Sequence, residues 1–223
     1  MDGEVAHHLG RVLRAQVGQL YELSDGQRVH LGRIESIGRD RIEFVLLEEL
    51  PATPSRLNVT LLLAVVKFDS FEWAIEKATE LGVNTIVPLA ASRCEKALLT
   101  AAPKRAARWK KILLEASQQS RRVRLPVLFE LEKPETAFAA SKNRLCVMLS
   151  ERADAPPFRI ILGGQTEKTA ALAIGPEGGW TDSEFEAAHR RGFQEASLGR
   201  LILRTETAVV TALASLSFAL GDQ

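Results

Sequence analysis

Only two cysteines, Cys94 and Cys146, occur among 223 residues, and they lie in no metal-ligand spacing and no disulfide framework. That scarcity points to a reducing compartment, the cytoplasm. No run of 18 or more apolar residues offers a membrane span. The N-terminus lacks a basic start followed by an apolar core, so no signal peptide is expected. There is no Gly-x4-Gly-Lys-Ser/Thr phosphate loop, and no Gly-rich turn follows the first long apolar stretch, Leu57 to Val66, as a dinucleotide-type site requires. A zinc-like Cys/His set is also missing. The adjacent pair His7-His8 points in two directions on a short helix and cannot chelate alone, so no metal is expected.

What is present is ordinary globular composition, 46% hydrophobic and 26% charged, in a chain long enough for one large domain or for one medium and one small. The net charge of +1 conceals an asymmetry. Between Arg93 and Arg124 ten Lys or Arg face only Glu95 and Glu115, a local balance of +8 that leaves −7 for everything else. Such a basic face is an electrostatic footprint for a polyanion, although an isolated one is more often a solvated helix face.

Residues 1 to about 55 alternate short β-like runs (Gln19 to Leu23, Arg28 to Ile34, Arg41 to Leu47) with turn signals at Ser24-Asp25-Gly26 and Gly38, a spacing that suggests a small antiparallel barrel. Pro51-Ala52-Thr53-Pro54-Ser55 reads as a linker. From residue 56 to 223 strand and helix alternate, as in a mainly parallel sheet covered on both faces. The expected strands are Leu57 to Val66, Asn84 to Leu89, Val123 to Phe129 and Arg144 to Leu149; the helices are Phe71 to Leu81, Pro103 to about Arg121 and Pro134 to Ala140. Pro103 suits a first helical turn. Glu76 and Glu80 lie one turn apart on one helix face, usually a solvated arrangement.

The last fifty residues carry the densest signals. An apolar strand, Ala170 to Ile174, runs into Gly175-Pro176-Glu177-Gly178-Gly179-Trp180, where the glycines can take positive φ and admit a ligand against bare backbone. Thr181 and Glu184 form a capping box for the next helix, and Gly192 falls at its left-handed end. A strand near Gln194 to Leu198 turns at Gly199 into Arg200-Leu201-Ile202-Leu203-Arg204-Thr205-Glu206-Thr207-Ala208 and an apolar helix, Glu206 to Leu220.

Together the two turns resemble the C-terminal signature of the SPOUT methyltransferases, specifically the ribosomal RNA small subunit methyltransferase E family. The match of LGRLILRTETA fails only at Leu201, where that family usually has Arg. His7-His8-Leu9-Gly10-Arg11-Val12-Leu13-Arg14 resembles the segment that opens the family's PUA-like RNA-binding domain. Two departures stand out: Gly18-Gln19 replaces the usual Gly-Asp, and the chain starts too late for a preceding Arg-x-Phe strand, which implies either a truncated start or a barrel open at one edge. Lys67, Glu76 to Gly82, Arg93 and Glu115 to Gln119 resemble further family blocks.

The resemblance implies an α/β fold: a SPOUT-type trefoil-knotted, mainly parallel sheet with helices on both faces (56–223), preceded by a small PUA-like β-barrel (1–55). It implies S-adenosylmethionine (SAM) as cofactor, a uridine N3 in 16S ribosomal RNA or the small subunit as acceptor, and a homodimer. SAM carries no phosphate, so backbone and apolar groups should hold it; the cofactor candidates are Leu149, Glu151, Ile174, Gly175, Pro176, Glu177, Gly178, Gly179, Leu198, Gly199, Leu203 and Thr207. Methylating the imide nitrogen removes its proton and spreads charge onto the flanking carbonyls, so a fixed cation beside them lowers the barrier. Arg204 is the first candidate for that role and Glu206, or Glu177, for proton removal. RNA candidates are Arg11, Arg14 and Arg33 in the first part, although six Lys or Arg there face nine Asp or Glu. In the second part they are Lys67, Arg93, Arg105, Arg108, Lys110, Lys111, Arg121 and Arg122. A rival reading is an RNA-binding assembly factor that keeps the fold without turnover.

Overall fold

The computed structural model describes residues 1–12, 14–51 and 57–221. Chain contacts divide them into two units, Met1–Pro54 and Ser55–Gln223. Apart from Pro51, the expected linker lies outside the described residues.

In the first unit α1 (Gly3–His7) runs into one wide π-helical turn (His8–Val12), and β1 (Leu20–Ser24), β2 (Val29–Ile37) and β3 (Ile42–Leu50) form an antiparallel sheet in that order. The Ser-Asp-Gly signal makes the first hairpin turn. Gly26 takes a φ of 87°, while the Asp25 carboxyl accepts the N–H groups of Arg28 (2.7 Å) and Gln27 (2.8 Å). Those bonds, Arg28 first, hold Asp25 below the usual carboxylate range. The Met1 ammonium donates to the Ile42 carbonyl (3.0 Å), and the Ile42 N–H returns a bond to the Met1 carbonyl (2.9 Å). The edge at Ile42 is therefore covered by the chain's own first residues. Ile34 and Ile42 are buried with Ala6 and Ala15 between helix and sheet.

The second unit is built on β4 (Asn58–Ala64), α2 (Phe68–Glu80), β5 (Thr85–Leu89), α3 (Lys96–Gln119), β6 (Val127–Leu128), α4 (Pro134–Ala140), β7 (Leu145–Leu149), α5 (Phe158–Leu162), β8 (Thr169–Ile174), α6 (Asp182–His189), β9 (Gln194–Ala196) and α7 (Thr205–Leu220). The strands form one six-stranded sheet, β6-β5-β4-β8-β7-β9, with every pairing parallel. Period-two alternation sorts the side chains. Leu61 and Leu63 of β4, Val147 of β7 and Leu172 of β8 face a core shared with α2, α3, α5 and α7, whereas Leu62, Met148 and Ala173 face α4 and α6. Helices thus cover both faces, as the alternating pattern implies.

Three departures from the sequence reading have physical causes. First, α3 begins at Lys96, seven residues before Pro103, which sits inside the helix. Burial of Ala102, with Leu98 and Leu99 packed against the core, offsets the hydrogen bond that proline removes. Second, the expected strand at Val123 to Phe129 shrinks to two paired residues at the sheet edge. Third, α5 was not foreseen; it is a single turn after Pro156-Pro157 that buries Phe158 and Leu162, four positions apart. The capping box at Thr181 and Glu184 forms, and Gly192 takes a φ of 80°.

Candidate cofactor pocket and basic helix

The turns that follow β7, β8 and β9, together with the start of α7, enclose a cavity of about 300 Å³. It therefore lies beyond the carboxyl ends of parallel strands, where open α/β sheets place ligands. A second hollow of about 620 Å³, lined by Thr60, Thr85 and residues of α4, includes none of the glycine turns.

Of the sequence's cofactor candidates, Leu149, Glu151, Ile174, Gly175, Pro176, Glu177, Gly179, Leu198, Gly199 and Leu203 line the first cavity. Gly178 and Thr207 do not. Of the glycines in these turns, Gly179 takes a φ of 70° and Gly199 of 145°, whereas Gly178 is not in the positive-φ region. Gly178 instead offers its carbonyl to Arg93 Nη1 at 2.7 Å, and a Cβ there would fall 3.3 Å from Arg93 Cβ. Thr207 is exposed because Thr205 and Ala208, three apart on one helix face, take the cavity side of α7. The Thr205 hydroxyl donates to the Gly175 carbonyl at 3.1 Å, tying the final helix to the end of β8.

Sequence reasoning missed several lining groups. Trp180 was noted only as an aromatic after the glycines, yet it forms a wall; Phe185 and Arg152 join it, with the Arg152 guanidinium 3.8 Å above the Phe185 ring and paired with Asp182. Arg93, placed with the RNA contacts, is a cavity residue. Its signal was ambiguous, since a basic residue beside a basic helix reads as part of that helix.

Arg204 caps α7 from outside. Its guanidinium is exposed and makes no hydrogen bond or ion pair among the described residues, so it does not pin Glu177 or Glu206 there. Glu206 lies in the first turn of α7, and its Oε2 is buried without a partner among the described residues. Neither side chain lines the cavity.

The basic helix is less free than its charge suggests. Glu72 of α2, nearly buried, accepts from Arg108 Nε at 2.6 Å and from Arg105 Nη1 at 3.5 Å, while the Arg105 guanidinium lies 4.6 Å from the Phe68 ring centre. Arg122 turns inward and donates to the Thr79 carbonyl at 2.7 Å; burial lowers its pKa from the ordinary arginine value. That geometry removes Arg122 from the RNA set. Lys110 is exposed, Lys111 meets Glu115 at 3.9 Å, and Lys67 and Arg121 are exposed. In the first unit Arg11, Arg14 and Arg33 are exposed. Lys77 bridges Glu76 and Glu80, 2.8 Å from each, so that carboxylate pair is internally matched.

Gly175, Gly179 and Gly199, apolar Leu149, Ile174, Leu198 and Leu203, and a volume at the lower end of small-ligand pockets fit an adenosine-sized cofactor, while Arg93, Arg152, Arg200, Glu151, Glu177 and Asp182 place charge of both signs around it. Among the described residues no group of three or more His, Cys, Asp or Glu is arranged to hold a metal ion, and no helix is long and apolar enough to cross a membrane.

Residues 53–217 match the family model of an RNA methyltransferase domain, and residues 1–47 that of an RNA methyltransferase PUA domain. Fold, pocket and family models define an RNA methyltransferase of α/β type behind a PUA domain. Among curated proteins, ribosomal RNA small subunit methyltransferase E of Synechocystis sp. is 35% identical over 226 residues, spanning 95% of this chain and 70% of that protein. The Bacillus subtilis enzyme of the same name is 30% identical, spanning 97% and 88%. Among solved structures, ribosomal RNA small subunit methyltransferase E from Neisseria gonorrhoeae, bound to SAM, aligns at TM-score 0.90 with 30% identity, covering 100% of this chain and 92% of that one. A methyltransferase from Legionella pneumophila in complex with SAM aligns at TM-score 0.90 with 31% identity and the same coverage. The chain belongs to the ribosomal RNA small subunit methyltransferase E family.

Proposed function

We propose that this protein transfers a methyl group from SAM to the N3 of a uridine in 16S ribosomal RNA, in the cytoplasm. The observation that carries the reading is the glycine-lined cavity at the carboxyl ends of β7, β8 and β9 in a chain whose relatives are crystallised with SAM. Residues 1–55 are the RNA-binding PUA-like part and 56–223 the catalytic part. A trefoil knot threads the two glycine turns, those after β8 and β9.

Bound SAM supplies an electrophilic methyl group. The chain supplies position and charge. Gly175, Gly179 and Gly199 bring bare backbone to the adenosine, with Leu149, Ile174, Leu198 and Leu203 packing on its faces. Arg204, without a side-chain partner among the described residues and placed at the mouth of α7, meets the anionic uracil oxygen that develops as the imide proton leaves. Glu206 accepts that proton; its buried, unpartnered oxygen is the feature in its favour. Lys67, Lys110, Lys111 and Arg121 hold phosphates, with Arg11, Arg14 and Arg33 contributing from the PUA-like part.

The active form is a homodimer. α7 buries Val209, Ala212, Leu213 and Leu216 against the sheet, yet Phe218 is 82% exposed and, at the cavity rim, Leu201 and Ile202 are 81% and 78% exposed. A second copy is the cover that surface requires. Sedimentation at micromolar concentration should give the dimer mass, and a monomer would contradict it.

The activity is tested with isolated small subunits and free 16S RNA incubated with methyl-labelled SAM, followed by nucleoside analysis. Label in 3-methyluridine is expected. SAM binding without incorporation into either RNA would favour an assembly factor without turnover.

A further inference from the structure

Glu184 is the most deeply buried acid of the described residues, with no exposed surface, and it makes one contact more than its capping box needs. Within the box its Oε2 accepts the Thr181 N–H and the Thr181 hydroxyl, both at 2.8 Å, and its own N–H reaches Thr181 Oγ1 at 3.4 Å. The remaining oxygen, Oε1, accepts the backbone N–H of Ser92 at 2.8 Å, a residue 92 positions away in the loop between β5 and α3. The next residue is Arg93. Its Nη1 donates to the Gly178 carbonyl, and its Cβ lies 3.3 Å from where a Cβ on Gly178 would fall, a tight contact. One buried carboxyl group thus fixes the start of α6 and the backbone of a loop whose arginine holds the glycine turn that precedes α6.

We propose that Glu184 is a positioning residue for the cofactor pocket, acting through Ser92 and Arg93 on the Gly178-Gly179 turn. The proposal rests on reading that pocket as the SAM site. The physical reason is loop closure. The turn after β8 has few bonds of its own, of which the Gly179 N–H to Pro176 carbonyl at 2.8 Å is one. An arginine anchored at its backbone removes conformations that the turn would otherwise sample, so the ligand meets a site already formed. An amide cannot replace the acid, because a glutamine has a single acceptor end and its NH₂ would face the N–H of either Ser92 or Thr181.

The test is a double-mutant cycle on the full chain, read by SAM titration calorimetry and by melting. Glu184→Gln and Arg93→Ala should each raise the SAM Kd severalfold, about three- to tenfold, as for a lost charge-assisted hydrogen bond that is not fully buried, and the double variant should be little worse than either, because both break one linkage. Thr181→Ala loses the cap but keeps the Ser92 bond, so it should melt earlier with SAM affinity unchanged. If Glu184→Gln does not fold, Glu184→Asp carries the same cycle, being one methylene too short to span both partners. Wild-type protein that binds no SAM would sink the pocket reading and the proposal together. Wild-type binding with an unshifted Kd in the Glu184 variant, or effects on Kd that simply add, would sink the positioning role alone.

Discussion

The indole N–H of Trp180 donates to the Leu149 carbonyl at 3.0 Å, so one side chain of the turn after β8 is fastened to the end of β7. The same ring stands 3.0 Å from where a Cβ on Gly175 would fall. Gly175 is therefore glycine because Trp180 occupies its side-chain space. Gly175→Ala should cost about 1–3 kcal/mol, typical of overpacking, and should weaken SAM binding by shifting the wall. Trp180→Phe loses the bond and the bulk of one fused ring at a buried position, at about 1–3 kcal/mol. Melting and SAM titration on both variants check this; wild-type values for Gly175→Ala would show that the ring yields freely.

Neutralising the basic helix should separate two kinds of residue. Lys110→Ala with Lys111→Ala should weaken RNA binding and reduce its salt slope by about one to two, the expectation for one or two lost phosphate contacts, with melting unchanged. Arg105→Ala with Arg108→Ala should lower the melting temperature as well, since it strands the nearly buried Glu72. Binding measured across a salt series, beside melting curves, distinguishes them. An unaltered slope in the lysine pair would make that face merely solvated.

Arg204→Ala should lower single-turnover methylation on the order of 10²-fold, as for removal of an electrostatic transition-state donor. Arg204→Lys should be impaired too, because it keeps charge but loses the planar fork. An exposed guanidinium with no partner among the described residues gives no reason for a change in melting or SAM affinity. A normal rate at saturating SAM would remove Arg204 from the chemistry.

Burial pushes the Cys94 thiol up to about 11, with the neighbouring Glu184 charge adding to it. In the unfolded chain the thiol ionises near 9. The folded state therefore holds a proton that the unfolded state releases, and stability present below pH 9 is lost as pH rises toward 11. The loss should be on the order of 1–2 kcal/mol and should shrink in Cys94→Ala, read from urea midpoints between pH 8 and about 11. At neutral pH Cys94 and Cys146, both buried with raised pKa values, should react slowly with iodoacetamide.

The family, the α/β class and the glycine turns were legible because each rests on local chemistry: apolar runs of strand length, Thr181 with Glu184, and glycines where backbone must be bare. What stayed hidden depends on contacts between distant residues. Pro103 looked like a helix start because local rules cannot see the core that holds Leu98, Leu99 and Ala102 in place. Arg93, Arg105 and Arg122 looked like one basic surface; their partners, Gly178, Glu72 and Thr79, lie 85, 33 and 43 positions away. Gly178 and Gly179 were equivalent on paper, and only the backbone path decides which takes positive φ.

The central pair of the sheet joins β4 to β8, with Asn58 beside Thr169, so the first strand of the second unit waits for a partner made about 110 residues later. During synthesis at roughly 5–20 residues per second, β4 spends several seconds as an apolar segment with one long side unpaired. The three-stranded sheet of the first unit closes through neighbouring hairpins and meets no such delay. Nascent chains should therefore acquire a folded front end well before the rest, and the interval in between is when Leu61, Leu62 and Leu63 are most in need of a chaperone.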